Sequence, residues 1–546
     1  MKIRMKIAAL MGAGLFPFAA TYAQQDSTLN RTVVVENEYN PRVMDASKIN
    51  VLPKVEEPKM IKKHIDYATT LRSLSQRNNQ VMSPMLREWK KNQVNRGYLR
   101  GGYGNKGNVE GAFGYLWDMT KQDRLVLDAT FDGWNGTLDS EPEIEWKSRF
   151  YRSMGNLEYQ HQFKGMALNI GGNLQSQVFT YMPYLKSEPG TYGGHQHQTM
   201  ANAHAGLKST DKDFSWQFEG EAGWNMFQMK YPASLKENEI YVKGGLWKNM
   251  GDGQLLGAGV KFHNYSYSGE GEWEGTTLLQ ANPSYILIGE DWKLRVAMHL
   301  DWWNGQDNEL KIAPDVNFDY QASDGYVLYA RAGGGMQNAS FREWTEITPF
   351  WMPYSNVITP THVSLDAALG LKASPAAGWW FHVTGGYQIR ENDLNLAYTQ
   401  AECPTYMVLV PGKNKVAYGS AELKCDVKNF GFSLSGTYYS WKYSEDEGEA
   451  SLVQQPLALR PELAVQADAW MELMEGWKIM VGYDYEKRCE DTFSAVSDFH
   501  VGATCRFLKN VEAFGKVHNL LNQSYVRADG YSAQKLHFLA GLSLYF

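Results

Sequence analysis

His195 and His197 share one face of a strand, with His204 a few residues on. Two imidazoles at H-x-H spacing can hold a transition metal, because alternate strand residues point the same way. The run Ala201-x-Ala203-x-Ala205-x-Leu207 makes that face the apolar one and places His195 and His197 at a rim. Rim histidines more often pack than ligate, no cysteine or acid cluster supports these, and neither a metal nor another cofactor is expected. The segment Phe341-Arg-Glu-Trp-Thr-Glu-Ile-Thr-Pro-Phe-Trp-Met-Pro-Tyr354 has the aromatic and arginine content of recognition surfaces. Phe341, Arg342, Trp344, Phe350, Trp351 and Tyr354 therefore form a candidate ligand or partner loop. The simpler role for the same side chains is to pack on neighbouring loops and cover what lies beneath. No G-x-S-x-G, H-E-x-x-H or P-loop occurs, so no enzyme is expected.

Four cysteines, at 403, 425, 489 and 505, are too few for a disulfide framework. Cys425 and Cys505 fall on apolar strand faces and read as small hydrophobes. Cys403 and Cys489 both fall in expected loops of an oxidising compartment, where a bridge between them is one option and free thiols the other.

These residues must be positioned by strands. From about residue 96 the chain alternates apolar and polar side chains at period two. Phe214, Trp216, Phe218, Gly220, Ala222 and Trp224 alternate with Ser215, Gln217, Glu219, Glu221 and Gly223. Trp292, Leu294, Val296, Met298 and Leu300 alternate with Lys293, Arg295, Ala297, His299 and Asp301. A charge facing lipid near the midplane costs about 2–4 kcal/mol, so in a membrane barrel the charged face must be the lumen. The end, Leu536-His-Phe-Leu-Ala-Gly-Leu-Ser-Leu-Tyr-Phe546, is an apolar ladder finishing on an aromatic, as a closing barrel strand would be. The aromatic share of 13% and the 51 glycines fit barrel girdles and close strand packing. A formal charge of -7 and the lack of a long basic run exclude nucleic acid as an evident partner.

Lys2, Arg4 and Lys6 followed by the short apolar run Ile7 to Ala20 predict a signal peptide over 1–23, cleaved before Gln24. Residues 24–95 are polar, carry Pro41, Pro53, Pro58 and Pro84, and are expected to form a periplasmic or lumenal segment. Residues 96–546 are expected to form the barrel, in the cell outer membrane with the amino terminus in the periplasm. Tight polar turns recur at Thr120–Asp123, Phe163–Gly165, Thr210–Asp213, Asn249–Gly253, Gly289–Asp291, Ala322–Gly325, Ser374–Gly378, Lys428–Asn429, Glu475–Gly476 and Leu508–Asn510. Longer connections are expected between most of them, as at Asn135–Ile144, Gln337–Pro360, Asn392–Asn414 and Tyr443–Arg460; Asn105–Gly107 is short where a long one is due. Strands paired by these turns, with one left at each end, predict an all-β, transmembrane antiparallel β-barrel of about 22 strands.

Val517-His-Asn-Leu-Leu-Asn-Gln-Ser-Tyr525, followed by Phe538-Leu-Ala-Gly-Leu-Ser-Leu-Tyr-Phe546, resembles the penultimate strand, loop and closing strand of TonB-dependent outer-membrane receptors. Arg31 to Lys54 resembles the start of plug-less TonB-receptor-like barrels of Bacteroidota, and nothing in 24–95 resembles the family's plug. Thr32, Val33, Val34 and Val35 look loosely like a TonB box, the strand that TonB pairs with. The resemblance implies a transport channel or receptor for a solute. A non-transporting barrel subunit or scaffold of a larger outer-membrane complex is the alternative. Outer-membrane lipid and envelope proteins would be its partners, and the absent plug weakens the case for TonB coupling.

Overall fold

The structure, a computed structural model, describes residues 95–546 except 141–143, 182–194, 212–214, 231–233, 307, 354–357, 398–406, 445–456, 492 and 529–530. The leader, the amino-terminal segment with Thr32–Val35, Cys403 and Tyr354 lie outside the described residues. One sheet of 23 strands holds nearly everything described. Trp351–Pro353 joins it only by a parallel pairing to Met407–Leu409, and the other 22 form a closed antiparallel ring in which sequence neighbours pair. The first strand, Gly97–Gly104, pairs with the last, His537–Tyr545, through the register Tyr98↔Tyr545 to Gly104↔Leu539. Reciprocal bonds from Gly97 N to Phe546 O (2.8 Å) and from Phe546 N to Gly97 O (2.9 Å) finish the seam. Closure removes the free edges that an open sheet would expose. At Gly541 the backbones approach so closely that a Cβ would meet the carbonyl oxygen of Gly101, and only glycine fits.

All ten tight turns expected from the sequence join strands, and they gather at one end of the barrel. At the other end several expected loops are largely strand. The strands Asp123–Ser140 and Ile144–Gln162 run together nearly to their tips, as do Trp379–Ala397 and Met407–Val427. They continue because alternation and cross-strand pairing persist beyond the length a membrane requires, about 9–11 residues. Asn105–Gly107 is a 3-10 turn, with Lys106 in the left-handed region at φ 52°. The wall is low around the seam, where Gly97–Gly104, Val109–Asp118, Val511–His518 and His537–Tyr545 have only 8, 10, 8 and 9 residues.

The outward side chains form an apolar belt that includes Val296, Met298, Leu310, Ile312, Leu369, Leu434 and Leu542, all exposed. Trp216, Trp292, Trp379, Trp477, Phe430, Phe507 and Phe546 ring its short-turn end. Such a girdle suits the boundary between lipid tails and headgroups. No helix among the described residues is long and apolar enough to cross a membrane, and it is this belt of strands that is built to meet lipid. The charges lie on the inner face. Arg100 and Lys516 both bind Glu110 (2.8 and 2.9 Å), Arg152 binds Asp132 and Arg295 binds Asp315 (2.6 Å).

Candidate functional site

The site is the long-loop end of the lumen, which a segment of the chain enters. Near its end the strand Tyr326–Gln337 carries Gly333-Gly334-Gly335, where its register against Thr361–Ala373 slips before Met336 and Gln337 pair again. Gly335 has φ +117°, a conformation that side chains rarely adopt. The next N–H, of Met336, donates to Asp301 Oδ2 (2.6 Å), and the Met336 carbonyl accepts from Gln280 Nε2 (2.9 Å). A bulge of this kind bends a strand and re-aims the residues beyond it. Here those residues turn into the barrel.

Ser340 caps the helix Phe341–Ile347 by accepting the Glu343 N–H on its hydroxyl (3.2 Å). Phe341, Trp344 and Thr345, on one helical face, are buried. Phe341 packs edge-on against Tyr267 and Trp273, with centroids 5.0 and 4.8 Å away. Trp351 stands at 87° to Trp344 and its Nε1–H donates to Thr345 Oγ1 (2.8 Å). Inward-facing Phe150, Phe179, Met200, Phe227, Met229 and Leu235 receive this cluster. Phe350 stacks on Tyr531 at 3.7 Å and ties the segment to the loop that precedes the closing strand.

One polar latch lies beneath. Glu237 Oε2 accepts the Phe341 N–H (2.6 Å) and also bonds the Arg342 backbone. The side chain is buried, and outward-facing Lys236 and Asn238 place it beyond the apolar belt. Burial pushes its carboxyl up to about 8, with Glu239 adding to the shift against the two backbone bonds. Burial first and Glu237 next raise the Glu343 carboxyl well above the usual range. Both carboxyls where the segment meets the wall are thus biased toward their neutral forms.

The structure brings together Phe341, Trp344 and Trp351, all buried, with Arg342 and Phe350 half-buried beside them. It separates the histidines. His195 and His197 share the outward face at the rim, where His195 meets Arg149 (3.1 Å) and His197 meets Ser176 (2.9 Å). His204 faces the lumen beside Glu158 at 3.5 Å. Cys489 is a free thiol, raised by burial to about 12, and Cys403, with which a bridge was one option, lies outside the described residues. Cys425 and Cys505 are also free, the first buried and the second half-buried. Sequence reasoning missed Glu237 and the inward turn. The three consecutive glycines and the capping pattern Ser340-x-x-Glu343 were the available signals.

No family model matches the chain, and no curated protein matches it. Solved structures do. The FrpB iron transporter from Neisseria meningitidis (F5-1 variant) superposes with a TM-score of 0.66 at 8% identity, over 83% of each chain. The ferric-catecholate import receptor Fiu from E. coli K12 gives 0.61 at 10% identity, over 83% of this chain and 82% of its own. The copper transporter OprC gives 0.61 at 12%, over 83% of this chain and 80% of its own. The fold is that of outer-membrane TonB-dependent receptor barrels. At these identities the likeness is one of architecture alone.

Proposed function

We propose that this chain is an outer-membrane receptor barrel that admits a small solute from outside the cell, non-enzymatically, through a mouth governed by residues 338–360. The carrying observation is the inward fold of its described part, residues 338–353. It is an aromatic plate seated on the inner wall and held by Glu237 and a few side-chain bonds, on a lumen lined with both charge signs. A structural subunit has no need of a lined passage with a separable cover. The leader over 1–23 and the likeness of Arg31–Lys54 to plug-less barrels of Bacteroidota fit the outer membrane, with the long-loop end outside.

The test is solute entry into liposomes carrying the full chain, compared with a variant in which 339–359 is replaced by a short Gly-Ser link. Several-fold faster osmotic swelling in the variant is expected. Equal rates in the two proteins would reject the segment as the gate. A stoichiometric protein partner recovered in mild detergent, with no solute entry in either protein, would favour the scaffold reading. In cells, uptake that stops when the proton gradient collapses marks energy coupling. Val34→Pro should then stop it too, because proline removes a strand donor.

A further inference from the structure

Three histidines that are remote in sequence meet on the lumen wall beside the seam. His518 and His537 are directly opposed in register, with ring centroids 5.2 Å apart and planes 13° from parallel. His500, on the strand before, stacks on the other side of His518 at 5.4 Å. Asp498 shares the inward face with His500 two residues away. One ligand atom from each of Asp498, His500 and His518 lies within 4.8 Å of the others.

His500 is only 6% exposed, and its Nδ1 is buried with no hydrogen-bond partner. Its Nε2 faces Asp468 at 3.7 Å. A buried ring nitrogen without a partner calls for one. Each oxygen of Asp498 is already oriented, Oδ1 by the Asn519 N–H (2.7 Å) and Oδ2 by the Tyr525 hydroxyl (3.4 Å). Each carboxylate oxygen retains a further lone pair. His537 Nδ1 lies 3.0 Å from the Lys535 carbonyl, a bond that needs the proton on Nδ1. Outer bonds of this type are what fix ligand tautomers in metal sites. The plain alternative is a stacked aromatic ladder, which leaves the His500 nitrogen unexplained.

We propose that Asp498, His500 and His518 bind a divalent transition-metal ion, with His537 as a neighbouring donor. Imidazole with one carboxylate suits zinc, copper, nickel, cobalt or iron and not magnesium or calcium. The site does not depend on the transport reading, since it is read by metal titration alone.

The full chain in detergent, stripped with chelator, would be titrated with Zn²⁺ against a chromophoric competitor and with Co²⁺ in the visible range. One equivalent is expected, with a Co²⁺ d–d band. His500→Gln and His518→Gln should each weaken binding at least tenfold, and His195→Gln/His197→Gln should not change it. Heat-modifiable gel migration establishes that each variant is folded. Should the site variants fail to fold, Zn²⁺ protection of wild-type His518, the half-buried member of the set, from diethylpyrocarbonate, read by peptide mapping, decides the matter. Absence of binding or of protection in the wild-type chain, or unchanged affinity in folded His518→Gln, overturns the proposal.

Discussion

The backbone N–H of Asn519 donates to Oδ1 of Asp498 across 2.7 Å, so a residue in the last turn of the barrel is held by the neighbouring strand. Asn519 lies in the left-handed region at φ 48°. Its amide donates to the carbonyls of Gln523 and Gln534, and its side-chain oxygen accepts the Gln523 N–H. Asn522 is also left-handed and accepts the Leu536 N–H just before the closing strand. These contacts give a physical reason for the two asparagines in Val517–Tyr525.

Asn519→Ala should therefore destabilise the barrel more than Asn519→Gly does. Both lose the side-chain bonds, each worth about 1 kcal/mol. Alanine alone adds left-handed strain of roughly 1–2 kcal/mol. The temperature at which the folded gel band disappears should order wild type above glycine above alanine. Equal values for the two variants would refute the conformational part.

Docking of the 338–360 segment should depend on pH. With Glu237 raised from 4.5 to about 8 while docked, the released form binds fewer protons between those values. Docking is then tightest below about 4.5 and weakens progressively as pH rises toward about 8. Glu343 shifts in the same direction. Acrylamide quenching of tryptophan fluorescence should increase over this window. Glu237→Gln keeps an acceptor without the charge and should remove the Glu237 share of the dependence, leaving that of Glu343.

Phe350→Ala should loosen the same segment without touching Glu237. It removes the stack on Tyr531 and the edge contact with Phe179 at 5.1 Å. Aromatic pairs contribute about 0.5–1.5 kcal/mol beyond buried area, so amide protection across 341–347 should fall by about two- to tenfold. Hydrogen exchange measures this directly, and unchanged protection would show that Tyr531 does not help to hold the segment.

Leu434→Arg and Ser435→Arg place the same charge on adjacent residues of one strand. Leu434 is exposed in the outer belt, and Ser435 faces the lumen opposite Glu422. The first should cost about 2–4 kcal/mol if it lies near the midplane, and the second little. Refolding yield into lipid vesicles should separate them; equal yields would contradict the assignment of faces.

Much of the ring was legible because period-two alternation is a local signal. Leu536, Phe538, Leu542, Leu544 and Phe546 do face outward, and the ten tight turns lie where glycine and polar clusters mark them. Strand ends were less legible. Alternation through Asn135–Ser140 continues past the membrane, and a required length says nothing about where pairing stops. The site was less legible still. Whether Phe341–Trp351 points out or in depends on a bulge at Gly333–Gly335 and on Glu237, which is distant in sequence. His500, His518 and His537 each look solitary until register aligns them. Cross-strand register depends on pairing partners, which no single segment encodes.

The low wall at the seam has a consequence for the shape of the mouth. Strands of 8 to 10 residues rise barely past the lipid, while strands of 18 and 19 on Asp123–Gln162 stand well clear of it. The rim is thus lopsided, like a jug with its lip at the headgroup layer. On that low side the connection between His518 and His537 stands in place of a tall wall, with its Tyr531 stacked on Phe350.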